Sequence, residues 1–375
     1  MRKSLFALVL IMIAWGMPIS ALEAPVELLS PRDSALGGRH VALSDSFSSL
    51  LNNPAGFYTA EEELSIAELT LATKGPIFSL SDAIISMDEG AIGDLINGIY
   101  AGFDLLGPLS FGYVGKGLGF GVYNQANLRL WSNNSLTANV EAWDDIVLTG
   151  GYAYRFPFSG DRHALDAGVL LKGGFRGRLY SEVTVLEIMA LDPTALLGDP
   201  FTFTSFIGAD LGLRYSLGRQ LVFGLVGRDV YSPTLSSVYE NVEAFWGGED
   251  PTSSNNYDRM PFQLDLGMMW RPEADLSRYA ISDIKVLFDY SDLLDFWLYP
   301  ANADNPLLHI GLGSEITVME ILDLRLGFAQ GLFAAGMGLD LKYFNLNLAM
   351  FGTERSTEPG MAPVYNLQLS FEFRS

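Results

Sequence analysis

The sequence predicts an all-β chain, a 14-stranded antiparallel transmembrane β-barrel with a small N-terminal helical hatch inside the lumen. Three observations lead there. From Leu109 to Phe373 the chain consists of short segments of alternating hydrophobicity; their connectors alternate between a few residues and a dozen or more; and a secretory leader precedes them. The last segment shows the pattern plainly. Tyr365, Leu367, Leu369, Phe371 and Phe373 share one face, and Asn366, Gln368, Ser370 and Glu372 share the other. The first face suits lipid and the second a wet lumen.

The leader comes first in the chain. Arg2 and Lys3 precede an apolar run from Leu5 to Trp15, which stops at Pro18 and reaches small residues at Ser20 and Ala21. This is the layout of a secretory signal peptide over residues 1–21. The run is too short to span a bilayer as a helix, and no later stretch offers ~18 uninterrupted apolar residues. The expected compartment is the bacterial outer membrane.

Alternation and turn residues together place strands at 61–72, 109–115, 117–131, 144–156, 163–181, 203–217, 220–232, 260–272, 283–292, 306–318, 321–330, 333–343, 345–353 and 363–374. The connectors after even strands are mostly tight, as at Gly115-Lys116-Gly117 and Gly218-Arg219, and belong on the periplasmic side. The connectors after odd strands include 73–108, 182–202 and 233–259, so the long excursions share the outer rim. The first strand is irregular, because its apolar parity changes between Ile66 and Leu69, which suggests a bulge.

Composition narrows the function classes. Without Arg2 and Lys3 the balance is 21 basic against 44 acidic residues, a net charge of −23, which makes nucleic acid an unsuitable partner. Acidic residues such as Glu240, Glu243, Glu249, Asp250 and Asp258 collect in predicted loops and read as a solvated rim. With no cysteine, disulfides and thiolate metal sites are excluded, and no spaced cluster suggests a metal or any other cofactor.

Before the barrel, residues 22–60 are too long for a linker and too apolar for a tail. Phe47, Leu50 and Leu51 form a short helical stripe that starts near Ser44 or Asp45 and ends before Pro54. A barrel of fourteen strands is too wide for its own side chains to fill, so a folded N-terminal segment has a place to sit. Asn53, Pro54 and Ala55, following Gly37-Gly38, Ala42 and Asp45-Ser46, resemble the hatch of the FadL-like outer-membrane transport family. The resemblance covers the mature chain in architecture and the hatch in residues. It implies fourteen strands over 61–375, an N-terminal hatch, and passive uptake of long-chain fatty acids or other hydrophobic compounds by a monomer embedded in outer-membrane lipids. The chain departs from the family pattern in its modest size and in ending with Arg374-Ser375 after the terminal aromatic.

Inward-facing positions carry Arg129, Lys172, Arg176, Arg178, Arg214, Arg228 and Arg325 beside Asp166, Asp210, Asp265 and Asp289. Two readings stay open: mutual ion pairs that close the lumen, or a cation for a ligand carboxylate at Lys172, Arg176 and Arg214. Leu170, Phe206 and Met269, with Val222, Val226 and Leu287, add an apolar wall that argues against a water-filled porin. Two outer-loop stripes, Ile92, Leu95, Ile96, Ile99 and Phe103 in one and Leu186 and Met189 in the other, have helical spacing. They pack on each other or form an apolar landing groove, as outer-loop helices do in the resembling family. In the third strand Asn124 interrupts the lipid face, so a bulge through Tyr123-Asn124-Gln125-Ala126-Asn127 is expected. The resemblance implies a lateral exit there, with Asn124 and Asn127 at its edge.

An enzyme needs a positioned acid, base and nucleophile, and His40, His163 and His309 have no evident activating partners in the sequence. The remaining rival is a noncatalytic barrel that binds other proteins, as a secretion accessory or a surface scaffold.

Overall fold

The structure is a computed structural model that describes residues 23–47, 49–76, 99–107, 109–132, 137–157, 162–184, 198–273, 280–301 and 303–375. The signal-peptide segment and Ile92, Leu95, Ile96, Leu186 and Met189 of the expected loop groove lie outside the described residues.

The paired segments form one sheet that closes on itself as fourteen antiparallel barrel strands. They are β1 (Glu63–Lys74), β2 (Tyr100–Leu106 and Phe111–Gly115), β3 (Leu118–Trp131), β4 (Thr137–Phe156), β5 (His163–Thr184), β6 (Phe201–Leu217), β7 (Leu221–Tyr231 and Pro233–Tyr239) and β8 (Ser253–Arg259 and Gln263–Trp270). They continue as β9 (Ile281–Tyr290), β10 (Ile310–Val318), β11 (Leu322–Ala329), β12 (Leu332–Leu341), β13 (Phe344–Glu354) and β14 (Pro363–Arg374). Closure is made by β14 against β1, with Leu69 opposite Phe371 and Leu71 opposite Leu369. The expected irregularity of the first strand is present as a register shift between Ser65 and Ala67.

Side-chain burial follows the two-residue period. Leu118, Phe120, Leu148, Tyr152, Leu211, Leu213, Leu266 and Met337 lie exposed on the outside, whereas Tyr123, Val147, Leu170, Val226 and Leu287 are buried on the inside. An apolar outside and a packed, charged inside is the arrangement of a barrel whose solvent is lipid.

Several boundaries differ from the sequence expectation. β2 starts at Tyr100, so Phe103 is a strand residue opposite Leu128 and Ile99 leads into that strand; neither sits on a loop helix. Their spacing satisfies a helical period, but cross-strand pairing with β3 decides the backbone. β4 starts at Thr137, seven residues early, because its partner β5 is long enough to pair with every added residue. Much of the 233–259 connector is strand: Pro233–Tyr239 and Ser253–Arg259 extend β7 and β8 as a hairpin capped by a short helix, α3 (Val242–Gly247). β10 starts at Ile310, which leaves His309 in a turn beyond the strand, where its Nε2 lies 3.4 Å from Asp295. His163 begins β5 and pairs its ring with the Tyr215 hydroxyl at 2.6 Å.

The N-terminal segment packs against the inner face of the wall. It contains α1 (Pro31–Ala35), α2 (Ser49–Asn52) and a 3-10 turn, Pro54–Tyr58. Pro31 opens α1 where its missing N–H costs nothing, and the Ser30 side chain caps it by accepting from the Asp33 amide. Asn53 does the same for the 3-10 turn, accepting from the Ala55 amide at 3.0 Å. Its amide group also donates to the carbonyls of Val41 at 2.7 Å and of Leu213 on β6 at 3.2 Å. Asn53 therefore ties two parts of the segment to the wall.

That approach is close because the wall gives way at glycine. A Cβ on Gly212 would collide with the Asn53 side-chain oxygen and crowd the Pro54 ring, and one on Gly168 would collide with the Pro54 backbone. Gly212→Leu should leave the barrel assembled but displace the turn, at about 1–3 kcal/mol. Phe57, fully buried in the native chain, should then become cleavable by chymotrypsin. Unchanged protection of Phe57 in the assembled variant would remove the glycine from the docking argument.

Candidate functional site

The inner wall holds the N-terminal segment chiefly by charge. The Arg32 guanidinium on α1 bonds Asp45 at 2.7 and 3.0 Å, Glu315 on β10 at 2.9 and 2.7 Å, and the Ser46 hydroxyl at 2.9 Å. Lys285 on β9 completes the cluster, 2.6 Å from Asp45 and 2.7 Å from Glu315, and Arg325 on β11 reaches Glu315 at 2.7 Å. Burial favours the neutral form of Asp45, but the Arg32 and Lys285 cations outweigh it and hold the carboxyl well below the usual range. The Asp45-Ser46 pair singled out in the sequence is thus the joint between segment and wall.

A second joint is His40, buried, with its Nδ1 on Asp289 of β9 and its Nε2 2.9 Å from the Leu36 carbonyl. Asp289 also accepts from the Val41 amide at 2.8 Å. Burial favours neutral imidazole, yet the Asp289 and Asp33 carboxylates prevail and raise the His40 pKa above its ordinary value.

Most of the inward cations are engaged with carboxylates. Lys172 sits 2.9 Å from Asp210 and 2.8 Å from Asp229. Arg176 grips Asp145 with both arms, at 2.7 and 3.0 Å, and also Glu23 at 3.0 Å and the Ala24 carbonyl at 2.8 Å. Arg228 bonds Asp265 at 2.6 Å and the carbonyls of Leu51 and Asn52. Arg178 pairs with Glu141, and Arg129 lies 4.4 Å over the Trp143 ring. Arg214 faces Asp166 at 3.8 Å and donates to the Thr59 hydroxyl at 3.1 Å and to the Ala42 carbonyl.

Lys172, Arg176 and Arg214 do not converge. Arg214 pairs in register with Asp166, ten residues along β5 from Arg176, a rise of about 33 Å. Alternation told which face each cation occupies, but not its height on that face. The apolar residues are divided as well. Leu170 and Phe206 pack with Phe47, Leu50 and Phe57, and Met269 packs with Leu36, Ala42 and Leu43. All three support the N-terminal segment.

A cavity of about 120 Å³ lies between the segment and the wall. Val26, Leu29, Phe47, Leu106, Tyr123 and Val147 form its apolar side; Lys172, Asp210, Arg228 and Asp229 close one end, and Glu63, Glu68 and Glu372 another. Of the ligand-site residues expected from sequence, Lys172 borders this cavity. The carboxylates at the other end were missed, although the inward parity of Glu372 was visible.

The third strand is not kinked. β3 pairs residue by residue with β4 through Asn124, opposite Ile146, and Asn127, opposite Trp143. Asn124 keeps its outward position because its amide finds Asp144 at 2.8 Å, which satisfies the group that a bulge was expected to turn inward. Asn127 is buried and bonds Gln125. The interruption lies in β2 instead. Five residue steps separate Leu106 from Phe111, but only three separate their partners Gln125 and Val122, so β2 carries two extra residues at this point. The Gly107 amide donates to the Asn124 carbonyl at 2.8 Å, and the Glu68 amide to the Ser110 carbonyl at 3.2 Å, which bridges the gap from both sides.

Asp45→Asn should loosen the segment by about 3 kcal/mol, because Arg32 and Lys285 lose their shared carboxylate, and trypsin cleavage after Arg39 should rise roughly a hundred-fold. The His40 joint has the opposite sign of pH dependence. Its raised pKa means that its contribution is complete below the unfolded value of about 6.5 and is lost as pH rises through the folded value. A spin label at Arg39→Cys should therefore gain mobility on raising the pH above neutrality, and His40→Gln should remove that step. A spectrum independent of pH in both proteins would exclude His40 as a joint.

No protein-family model matches the chain, and no curated protein does. Among solved structures it is similar to the toluene transporter TbuX of Ralstonia pickettii, at 13% identity over 92% of this chain and 98% of that one, with a TM-score of 0.49. It is also similar to the monoaromatic hydrocarbon channel CymD, at 12% identity over 92% and 96%, TM-score 0.48, and to the toluene transporter TodX of Pseudomonas putida, at 13% over 94% and 99%, TM-score 0.43. Those three are FadL-family barrels, the family that the residues around Asn53-Pro54-Ala55 resemble.

Proposed function

We propose that the protein is a passive outer-membrane channel for hydrophobic small molecules, with its N-terminal segment acting as a hatch. An apolar outer belt suits residence in lipid, and a lumen filled by packed side chains suits a ligand that sheds its water. The observation that carries the reading is the position of the cavity. Glu68, Leu106 and Tyr123, which line it, also border the two-residue interruption of β2. A hydrophobic molecule leaving the cavity there passes sideways into the membrane between β1 and β3, beside Asn124. Long-chain fatty acids are the ligand class implied by the resemblance. Their carboxylate could reach Lys172 only by displacing Asp210 or Asp229, at the expense of an existing ion pair.

Size adds a condition. Binding pockets for drug-sized ligands occupy about 300 Å³ or more, so an acyl chain needs the N-terminal segment to shift before the cavity of about 120 Å³ admits it.

Proteoliposomes test the reading. The full chain should speed the entry of toluene or oleate without admitting arabinose, and a variant lacking residues 23–60 should admit arabinose. Deleting two residues within Gly107–Ser110, which restores even pairing, should lower hydrophobic uptake by about ten-fold with binding retained. Arabinose entering through the full chain as fast as the hydrophobic probes would make the protein a porin and end the proposal.

A further inference from the structure

Resting on the reading as a hydrophobic channel, we infer that the cavity selects amphiphiles with a cationic or hydrogen-bond-donating head, amines first, and discriminates against carboxylates. The inference starts at the barrel seam. Glu68 on β1 and Glu372 on β14 are direct partners in register, so their side chains leave the same face of the sheet, and both line the cavity. Two carboxyls placed directly opposite repel whenever both are ionised. A ligand ammonium between them removes that repulsion.

Neither carboxylate has a cation bonded to it among the described residues. The Thr70 hydroxyl donates to Glu68 at 2.9 Å. Glu372 is partly buried beside the Ser65 hydroxyl, and its Oε1 is shielded from water with no hydrogen bond to a described residue. The cation nearest in sequence, Arg374, is engaged with Glu63 at 3.1 Å and with Asp340. Glu63 also accepts from the Phe47 amide at 2.7 Å, so of the three carboxylates at this end it is the one that holds both a cation and a backbone donor.

The other lining cations are unavailable to a ligand carboxylate without breaking an ion pair. Arg32 is bonded to Asp45 and Glu315, Arg39 to Glu27, Lys172 to Asp210 and Asp229, and Arg228 to Asp265. A bound carboxylate would meet unpaired Glu68 and Glu372 at one end and occupied cations at the other. A bound amine meets two acceptors and the rings of Phe47 and Tyr123, whose faces also attract cations. The size is that of one ring, since an apolar cavity of about 150 Å³ holds benzene and this one measures about 120 Å³.

The test is calorimetric titration of the full detergent-solubilised chain with benzylamine, benzyl alcohol, benzoate and toluene at neutral pH. Benzylamine should bind about ten-fold or more tighter than benzoate, with benzyl alcohol between them. Glu68→Gln and Glu372→Gln, each checked for folding by circular dichroism, should each shrink the benzylamine-to-benzoate ratio; Glu249→Gln, in an outer loop, should keep it. Benzoate binding as tightly as benzylamine, with toluene also bound, overturns the inference and leaves the channel standing. A ratio that survives both cavity substitutions also overturns it, since bulk acidity then explains the preference. If none of the four probes binds, the channel reading falls and the inference with it.

Discussion

The Asp45 carboxylate is the point on which the interior depends. Two cations from different parts of the chain, Arg32 on the N-terminal segment and Lys285 on the wall, converge on it, and both also bind Glu315. Each of these charges is costly to take out of water on its own, and each is made tolerable by the others. Such a cluster contributes specificity of placement rather than much net stability. A hydrophobic patch alone would let the segment slide along the wall, whereas a four-charge constellation has one arrangement in which every partner is met.

The same reasoning explains why the lumen carries so many charges. The inner wall has two duties, to hold the segment and to leave room beside it. Arg176 and Arg228 perform the first, each anchored by a wall carboxylate while reaching the segment at Glu23 and the Ala24 carbonyl, or at the Leu51 and Asn52 carbonyls; Lys172 is paired within the wall. The apolar side chains Leu170, Phe206 and Met269 assist from the wall by packing under Phe57, Leu50 and Leu43.

Much of the barrel was legible in the sequence because its code is local. Inward and outward faces follow from alternation, and tight turns such as the one at Lys116 and Gly117, both at positive φ, announce themselves by residue type. What was illegible depends on partners far away. Thr137 begins β4 because β5 continues to Thr184, and Asn124 stays outward because Asp144 is there to receive it. The height of Arg214 relative to Arg176 is set by the stagger between β5 and β6, which no single strand records. The interruption was placed one strand away from where it lies, since the polar residue that signals it sits on the neighbour of the strand that carries it.

The sequence separation of the joints constrains the order of assembly. Arg32 meets Glu315 across 283 residues, and His40 meets Asp289 across 249. These contacts cannot form until the last third of the chain is in place, and loop closure over such lengths follows rather than leads the pairing of neighbouring strands. The newly made protein therefore passes through a stage in which strands are paired and the first part of the chain is still undocked. During that stage the apolar residues of the segment, Leu36, Leu43, Phe47 and Phe57 among them, have no wall to lie against.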